Sequence, residues 1–471
     1  MLYQTKKAYV LATIIGAGAA ITACVDQPTP TSPPSATQSP SLDQVPTTST
    51  ATPALIRQLA AGRGVIPLPP KPFVRPALSQ LGQALTFDPI LSGNRNISCS
   101  TCHLPAFATG DGKSLSVGEG GARFGPEREH PGGVFIPRNA PPLFNLGSMR
   151  HLFWDGRIEI DDRGVVHTPA GAQITPAMAK VFEFGPVSAI GMFPVTNRAE
   201  MRGRAGAEFV NNELGQIPDV DNPAIWSALM KRLGNIPEYR KMFEEAYPGR
   251  RFDEMSFAYA SNAIGGFFVD QLTFTNSPWD RFLAGNDHAL SPKQLDGAQT
   301  FLTLKCSLCH MGSTFSDEKF HDVAVAQLGP GEGDGTGLRD DFGRMRVTGR
   351  GDDRYLFRTT PLRNVELTGP YGHDGAIVSL RSFVEHYSDS DKKLMEFDPT
   401  QLESALRLTV LPTKLEILVQ RDTLLKGVVL TPDLIDRLTT YMLALTDPQA
   451  RNLTRIAPAR LPGNRSLAAR Q

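Results

Sequence analysis

Two segments constrain this chain more than anything else in it: Cys99-Ser-Thr-Cys102-His103 and Cys306-Ser-Leu-Cys309-His310. Each holds two thiols three positions apart with an imidazole directly after the second, the attachment pattern of a c-type haem. The thiols add across the two haem vinyl groups, and the histidine on the same turn supplies the proximal ligand to iron. With five cysteines and nine histidines in 471 residues, one such segment arises by chance in about one of a thousand chains. Two of them take up every cysteine except Cys24. A zinc site built from the four thiols leaves the histidine after each pair unexplained. The expectation is two covalently bound haem c groups, on Cys99, Cys102 and His103 and on Cys306, Cys309 and His310.

The N-terminus agrees with attachment outside the cytoplasm. Lys6 and Lys7 precede an apolar run from Ala8 to Ala23, which is short for a membrane span and reads as a targeting signal. Its end, Ile21-Thr22-Ala23-Cys24, resembles a bacterial lipoprotein signal; an ordinary secretory peptide with an incidental cysteine is the alternative. The lipoprotein reading makes residues 1–24 a signal peptide and anchors the chain through acyl groups on Cys24. Val25, where an Asp would signal retention, then favours an outer-membrane lipoprotein on the periplasmic side of the envelope. Residues 25–53 are almost all Pro, Ser, Thr, Gln and Ala and read as a disordered tether. Lys+Arg and Asp+Glu both number 48, so no net field draws the protein to nucleic acid.

Periodicity in the body is helical. Ala77–Phe87 places Leu78, Leu81 and Leu85 on one face. Ser277-Pro-Trp-Asp280 and Ser291-Pro-Lys-Gln294 each read as an N-cap, a proline in the first turn and a capping partner three residues on. Thr431-Pro-Asp433 opens a helix running to about Leu445, and Pro237–Tyr247 and Asp253–Leu272 are further helices. The Gly-rich stretch 329–337 lacks the Gly-Lys-Ser/Thr ending of a phosphate loop and reads as a connection. Leu81-Gly-Gln-Ala-Leu-Thr-Phe87 before the first haem segment is echoed by Leu295-Asp-Gly-Ala-Gln-Thr-Phe301 before the second. The expected fold is mainly α: two cytochrome c-like haem domains with long irregular loops, residues 54–284 and 285–471.

Around the haem segments lie Arg138-Asn-Ala-Pro-Pro-Leu-Phe-Asn145, Phe153-Trp-Asp-Gly-Arg157, Glu200-Met201, Phe357-Arg-Thr-Thr-Pro-Leu-Arg-Asn364 and Pro370-Tyr-Gly-His-Asp-Gly375. From about Leu78 to Tyr387 the chain resembles the bacterial di-haem cytochrome c peroxidase and MauG family. The resemblance implies hydrogen peroxide as substrate at the N-terminal haem and electron transfer through the C-terminal haem. It implies a small periplasmic electron donor, such as a cytochrome c or cupredoxin. It casts Glu200 as the distal acid–base and Trp154 as the relay between haems. A surface Glu and a packed core Trp are the plainer readings of these two residues. The same resemblance implies one Ca²⁺ held by Asn139 and the carbonyls of Thr359 and Pro361, an oxygen set suited to that ion.

The chain departs from the family pattern in three places. Residues 158–192 form an insertion, and Ile190 stands where relatives often carry a glutamine. Sixteen residues after Tyr371, where many members have a methionine ligand to the second haem, stands Tyr387. A tyrosine there looks like MauG, which implies peroxide-dependent oxidation of a partner protein or small molecule. His386 and Met345 are the competing ligands. His130 is a candidate resting-state ligand of the first haem, and His373 has no role assignable from sequence. His151, His167, His288 and His321 read as surface or packing residues, and Met149 and Met192 as core. A non-catalytic di-haem electron carrier is the third functional reading.

Overall fold

The computed structural model describes residues 51–132, 134–206, 211–465 and 467. The signal, Cys24 and the tether up to residue 50 lie outside these. The body is mainly helical, and its helices gather around two buried cores.

Each core is organised by a crossing of two helices, one of which leads into a haem segment. In the first, Pro76–Phe87 buries Leu78, Leu81 and Leu85 as its spacing predicts and crosses Phe257–Gln271. The crossing runs through Gly82, where an added Cβ would stand 1.9 Å from the Ala263 carbonyl oxygen. In the second, Pro292–Thr303 crosses Pro432–Leu443 at Gly297, where a Cβ would stand 2.1 Å from the Arg437 carbonyl oxygen. Any side chain at either position pushes two backbones apart. Gly82→Ala and Gly297→Ala should therefore each cost about 1–3 kcal/mol or more by overpacking, read as a lower denaturant midpoint. Gly62→Ala, with nothing within 4 Å of the added carbon, should change it little.

Both serine-led helix starts form as read: Ser277 Oγ accepts from Asp280 N, and Ser291 Oγ from Gln294 N. The helix expected from Asp253 starts instead at Phe257, after a separate turn at Phe252–Glu254. Asp253 is occupied there by a two-pronged ion pair with Arg240.

The chain ends exchange partners. Ile56 and Ala60, on the Pro53–Gly62 helix, bury in the second core, and so do Trp279 and Phe282. Ala450, Leu453, Ile456 and Leu461 return from the C-terminus to the first. A simple cut at Gly285 thus separates the haem segments but not the cores. The strands are short. His151–Leu152, Ile158–Ile160 and Val166–His167 form an antiparallel sheet with Leu152 opposite Ile158 and Ile160 opposite Val166. Phe320–His321 pairs with Phe357–Arg358. The 158–192 insertion is built into the first core: Val187, Ala189 and Met192 are fully buried. Gly265 admits it, since a Cβ there would lie 2.5 Å from the Val187 carbonyl oxygen.

Candidate active site

Both haem segments are single helical turns, Cys99–Cys102 and Cys306–Cys309, each closed by its histidine. Ser98 N donates to Thr101 Oγ1 at 3.0 Å and fixes the start of the first turn. His103 Nδ1 lies 2.8 Å from the Thr109 carbonyl, and His310 Nδ1 3.0 Å from the Phe315 carbonyl. A carbonyl can only accept, so each ring places its proton on Nδ1 and leaves the Nε2 lone pair free. Burial lowers the pKa of both imidazoles, which keeps them neutral as iron ligation requires. Cys99 packs against the first core and Cys306 against the second. The two pairs therefore do not converge on one zinc ion.

The second segment opens on a cavity of about 580 Å³ lined by Cys306, Cys309 and His310 with apolar walls such as Phe301 and Val384. That is the size and character of a cofactor pocket, and the residues present fit a haem. Tyr387 lines this cavity, and its hydroxyl has no hydrogen-bond partner among the described residues. Burial raises its pKa. The competing ligands do not reach the space. His386 gives its Nε2 to the Val323 carbonyl at 2.7 Å, and Met345 starts a short helix outside the lining.

Trp154, Asn139, Thr359 and Pro361 line the same cavity. The Trp154 indole donates to the Asn139 carbonyl at 2.9 Å, and the Trp154 carbonyl accepts from Arg358 N at 2.9 Å. Asn139 Nδ2 donates to the carbonyls of Lys113 and Ser114 at 2.8 and 3.2 Å, which leaves its side-chain oxygen available. The Thr359 carbonyl accepts from Ser316 Oγ at 2.7 Å. These oxygens suit a Ca²⁺ ion completed by water.

Glu200 sits on one turn of π-helix, Arg198–Arg202, a rare geometry often found at functional sites. Asn197 caps it: its side-chain oxygen accepts from Ala199 N and Glu200 N, and its Nδ2 donates to Glu200 Oε1 at 3.1 Å. Glu119 N donates to the Ala199 carbonyl at 3.0 Å, and Gly93 N to that of Met201 at 2.8 Å. Gly118 permits this approach, because a Cβ there would lie 1.9 Å from the Ala199 oxygen. The Glu200 turn packs on Gly118, next to Val117, whose carbonyl lies 4.0 Å from Cys102 Sγ, and the Glu200 charge adds to the burial that raises the pKa of the Cys99 and Cys102 thiols. Burial raises the Glu200 pKa above the usual glutamate value. Glu332 adds to the rise, while Arg157 and Arg138 oppose it.

Arg138 has no function assignable from its sequence motif alone. The structure shows it buried between the two halves, with Nη1 2.6 Å from Asp155 Oδ2 and Nε 2.6 Å from Asp341 Oδ2. Burial alone would raise the Asp341 carboxyl, but Arg138 holds it down at about 2. Asp155 follows Trp154 directly, so the ion pair fixes the Trp154 segment against the second half. Arg138→Met would leave the buried Asp341 without its cation and Asp155 with only Arg157, 3.6 Å away. It should cost about 3–5 kcal/mol, measured by urea unfolding of the haem-loaded protein.

His321 requires a correction. It is neither a surface residue nor simple packing: it lines the second cavity with Nε2 3.0 Å from Asp317 and Nδ1 2.5 Å from Asp422. Burial disfavours its charge, but the carboxylates prevail and hold it protonated. His373 is buried and stacked on Phe357 at 3.7 Å, with Nε2 3.1 Å from Gln327 Nε2; burial lowers its pKa to about 4. His130 accepts from Gly132 N and packs within its own loop. His151 packs between Glu159 and Glu318, and Met149 and Met192 are core residues as read.

Residues 76–288 match the family model for di-haem cytochrome c peroxidase. The cytochrome c551 peroxidase of Pseudomonas aeruginosa is 30% identical over 306 residues, covering 65% of this chain and 70% of that one. The methylamine utilization protein MauG of Methylorubrum extorquens is 28% identical over 329 residues, covering 70% and 73%. Among solved structures, a MauG-like protein associated with microbial copper homeostasis superposes with a TM-score of 0.57 at 23% identity, covering 84% of this chain and 97% of that one. The diheme peroxidase BthA from Burkholderia thailandensis gives 0.55 at 18%, covering 80% and 88%. With two haem attachment turns, neutral histidines and this degree of likeness, the chain belongs to the di-haem cytochrome c peroxidase and MauG family.

Proposed function

We propose that the protein reduces hydrogen peroxide at the haem held by Cys99, Cys102 and His103. Electrons enter through the haem held by Cys306, Cys309 and His310 from a small periplasmic donor, a cytochrome c or cupredoxin. The overall reaction is H₂O₂ + 2H⁺ + 2e⁻ → 2H₂O. The observation that carries this reading is Glu200, a carboxylate with a raised pKa beside the first haem segment. Bound haem supplies the iron that takes peroxide and accepts electrons. Glu200 takes the proton from the peroxide oxygen that meets iron and returns it to the oxygen that leaves as water. Arg157 and Arg138 oppose the rise and favour the ionised form that acts as that base. Trp154, fixed by Asn139 and Arg358, provides an aromatic path at the wall of the second cavity. One Ca²⁺ at Asn139, Thr359 and Pro361 would hold that wall together.

A steady-state assay with reduced cytochrome c or cupredoxin checks the reading directly. Peroxide-dependent donor oxidation is expected, and its absence with both haems attached would refute it. The position of Tyr387 in the second cavity favours a second reading, in which the stored oxidising equivalents modify a partner protein or small molecule as in MauG. We further place the protein on the periplasmic side of the envelope, tethered to the outer membrane through Cys24. Among the described residues no helix is long and apolar enough to cross a membrane.

A further inference from the structure

The wall of the second cavity holds a carboxyl group with no cation of its own. Asp322 lines that cavity and is 3% exposed. Its Oδ1 accepts from Ala324 N at 2.7 Å, while its Oδ2 is buried with no hydrogen-bond partner among the described residues. The segment runs beside the haem attachment turn: a ring nitrogen of His321, the residue before, lies within 4.8 Å of Cys309 Sγ.

The charges around Asp322 come from several elements. His321 ends the Phe320–His321 strand, and Asp317 precedes that strand. Arg421 and Asp422 follow the Lys414–Gln420 helix, and Asp391 lies on the Ser390–Met395 helix. Asp422 N donates to the Asp322 carbonyl at 2.9 Å. Both cations are already engaged. The His321 ring is shared by Asp317 at 3.0 Å and Asp422 at 2.5 Å, and Arg421 Nε stands 2.5 Å from Asp391 Oδ1. His386, which bonds the carbonyl of neighbouring Val323, is kept neutral by burial. Four carboxyl groups thus face two cations, and Asp322 is the one without an ion pair among the described residues. Burial raises its pKa to about 7, against the Ala324 N–H and Arg421 and with help from Asp422 and Asp391. A buried carboxylate without a partner is costly to charge. A haem on Cys306, Cys309 and His310 loses one positive charge when it is reduced, and that change disfavours the ionised carboxylate further.

We propose that Asp322 takes up a proton when the second haem is reduced, so that an electron and a proton enter this cavity together. The small donor gives the electron, which takes iron from ferric to ferrous. Solvent gives the proton, which forms an O–H bond on the Asp322 carboxylate, and oxidation reverses both. The linkage is an equilibrium and reciprocal: the proton favours the electron as much as the electron favours the proton. Asp322 touches no substrate and is a positioning residue. The inference deepens the electron-entry role proposed above and rests on a reducible second haem, not on peroxide chemistry at the first.

Spectroelectrochemical titration of the protein with both haems attached, from acid to alkaline pH, tests it. The wild-type midpoint of the second haem should be flat in acid, where Asp322 is protonated in both oxidation states. It should then fall with rising pH, by up to about 59 mV per tenfold drop in proton concentration, the one-electron limit. Asp322→Asn keeps an acceptor for Ala324 N but cannot ionise. It should abolish the slope and hold the midpoint at the wild-type acid plateau, while Asp322→Glu should keep a slope. In the infrared difference spectrum of the wild type, a protonated carboxyl band should grow on reduction and be missing in Asp322→Asn. A slope that survives in Asp322→Asn, or a wild-type midpoint indifferent to pH, would overturn the proposal. If Asp322→Asn does not fold, the wild-type infrared spectrum decides: no carboxyl gaining a proton on reduction overturns it equally. A protein that shows the Asp322 slope but does not turn over peroxide would remove the peroxidase reading and leave this linkage standing.

Discussion

Glu200→Gln should slow the reaction with hydrogen peroxide by about 10²–10⁴-fold, the usual worth of a positioned acid–base group, while both haems stay attached. Glutamine keeps the length of the side chain, so it can keep the contact with Asn197 Nδ2 that holds Oε1. What it loses is the ability to take a proton. The same reasoning fixes the pH profile. Glu200 must be ionised to act as base, and its pKa is raised, chiefly by burial. The rate should therefore rise with pH through an acid limb above the ordinary glutamate range, and that limb should vanish in the Gln variant. Stopped-flow mixing with peroxide, alongside a haem stain on a denaturing gel, measures both. A variant that reacts at the wild-type rate would make Glu200 a bystander.

Tyr387→Met should raise the reduction potential of the second haem by on the order of a few hundred millivolts, within the range that axial ligands command. A phenolate is hard and anionic and favours the ferric state; a thioether is soft and neutral and favours the ferrous one. The geometry makes the substitution informative. Tyr387 lines the cavity that His310 serves, whereas His386 is committed to the Val323 carbonyl. With the higher potential, the second haem should accept electrons from a small donor more readily and hold oxidising equivalents less well. Spectroelectrochemical titration reads the shift. A second haem whose potential and spectrum ignore the change would remove Tyr387 from the iron and, with it, the MauG-like reading.

What the sequence disclosed was the chemistry written in short spans. The haem turns, the serine-capped helix starts and the Leu78, Leu81, Leu85 face are local, and they appear where spacing predicts them. What it concealed depends on partners far apart. Asp317 is four residues from His321, but Asp422 is 101 away, and no local pattern announces the second. Arg138 and Asp341 are 203 residues apart. The Pro53–Gly62 helix shows an apolar face at Ile56 and Ala60, yet nothing in that face says which core it will join.

Peroxide reduction here depends on peroxide reacting where Glu200 stands, and the Tyr387 reading adds that the second haem shares the oxidation. The most direct measurement adds one equivalent of hydrogen peroxide to the fully ferric protein and follows EPR and absorption together. We expect an immediate loss of a high-spin signal from the first haem and, with Tyr387 on the second iron, a change in the second haem's spectrum in step. A ferric protein that ignores peroxide until half-reduced would retain a peroxidase but contradict Tyr387 as ligand. Indifference to peroxide in both states would contradict the claim outright and leave an electron carrier.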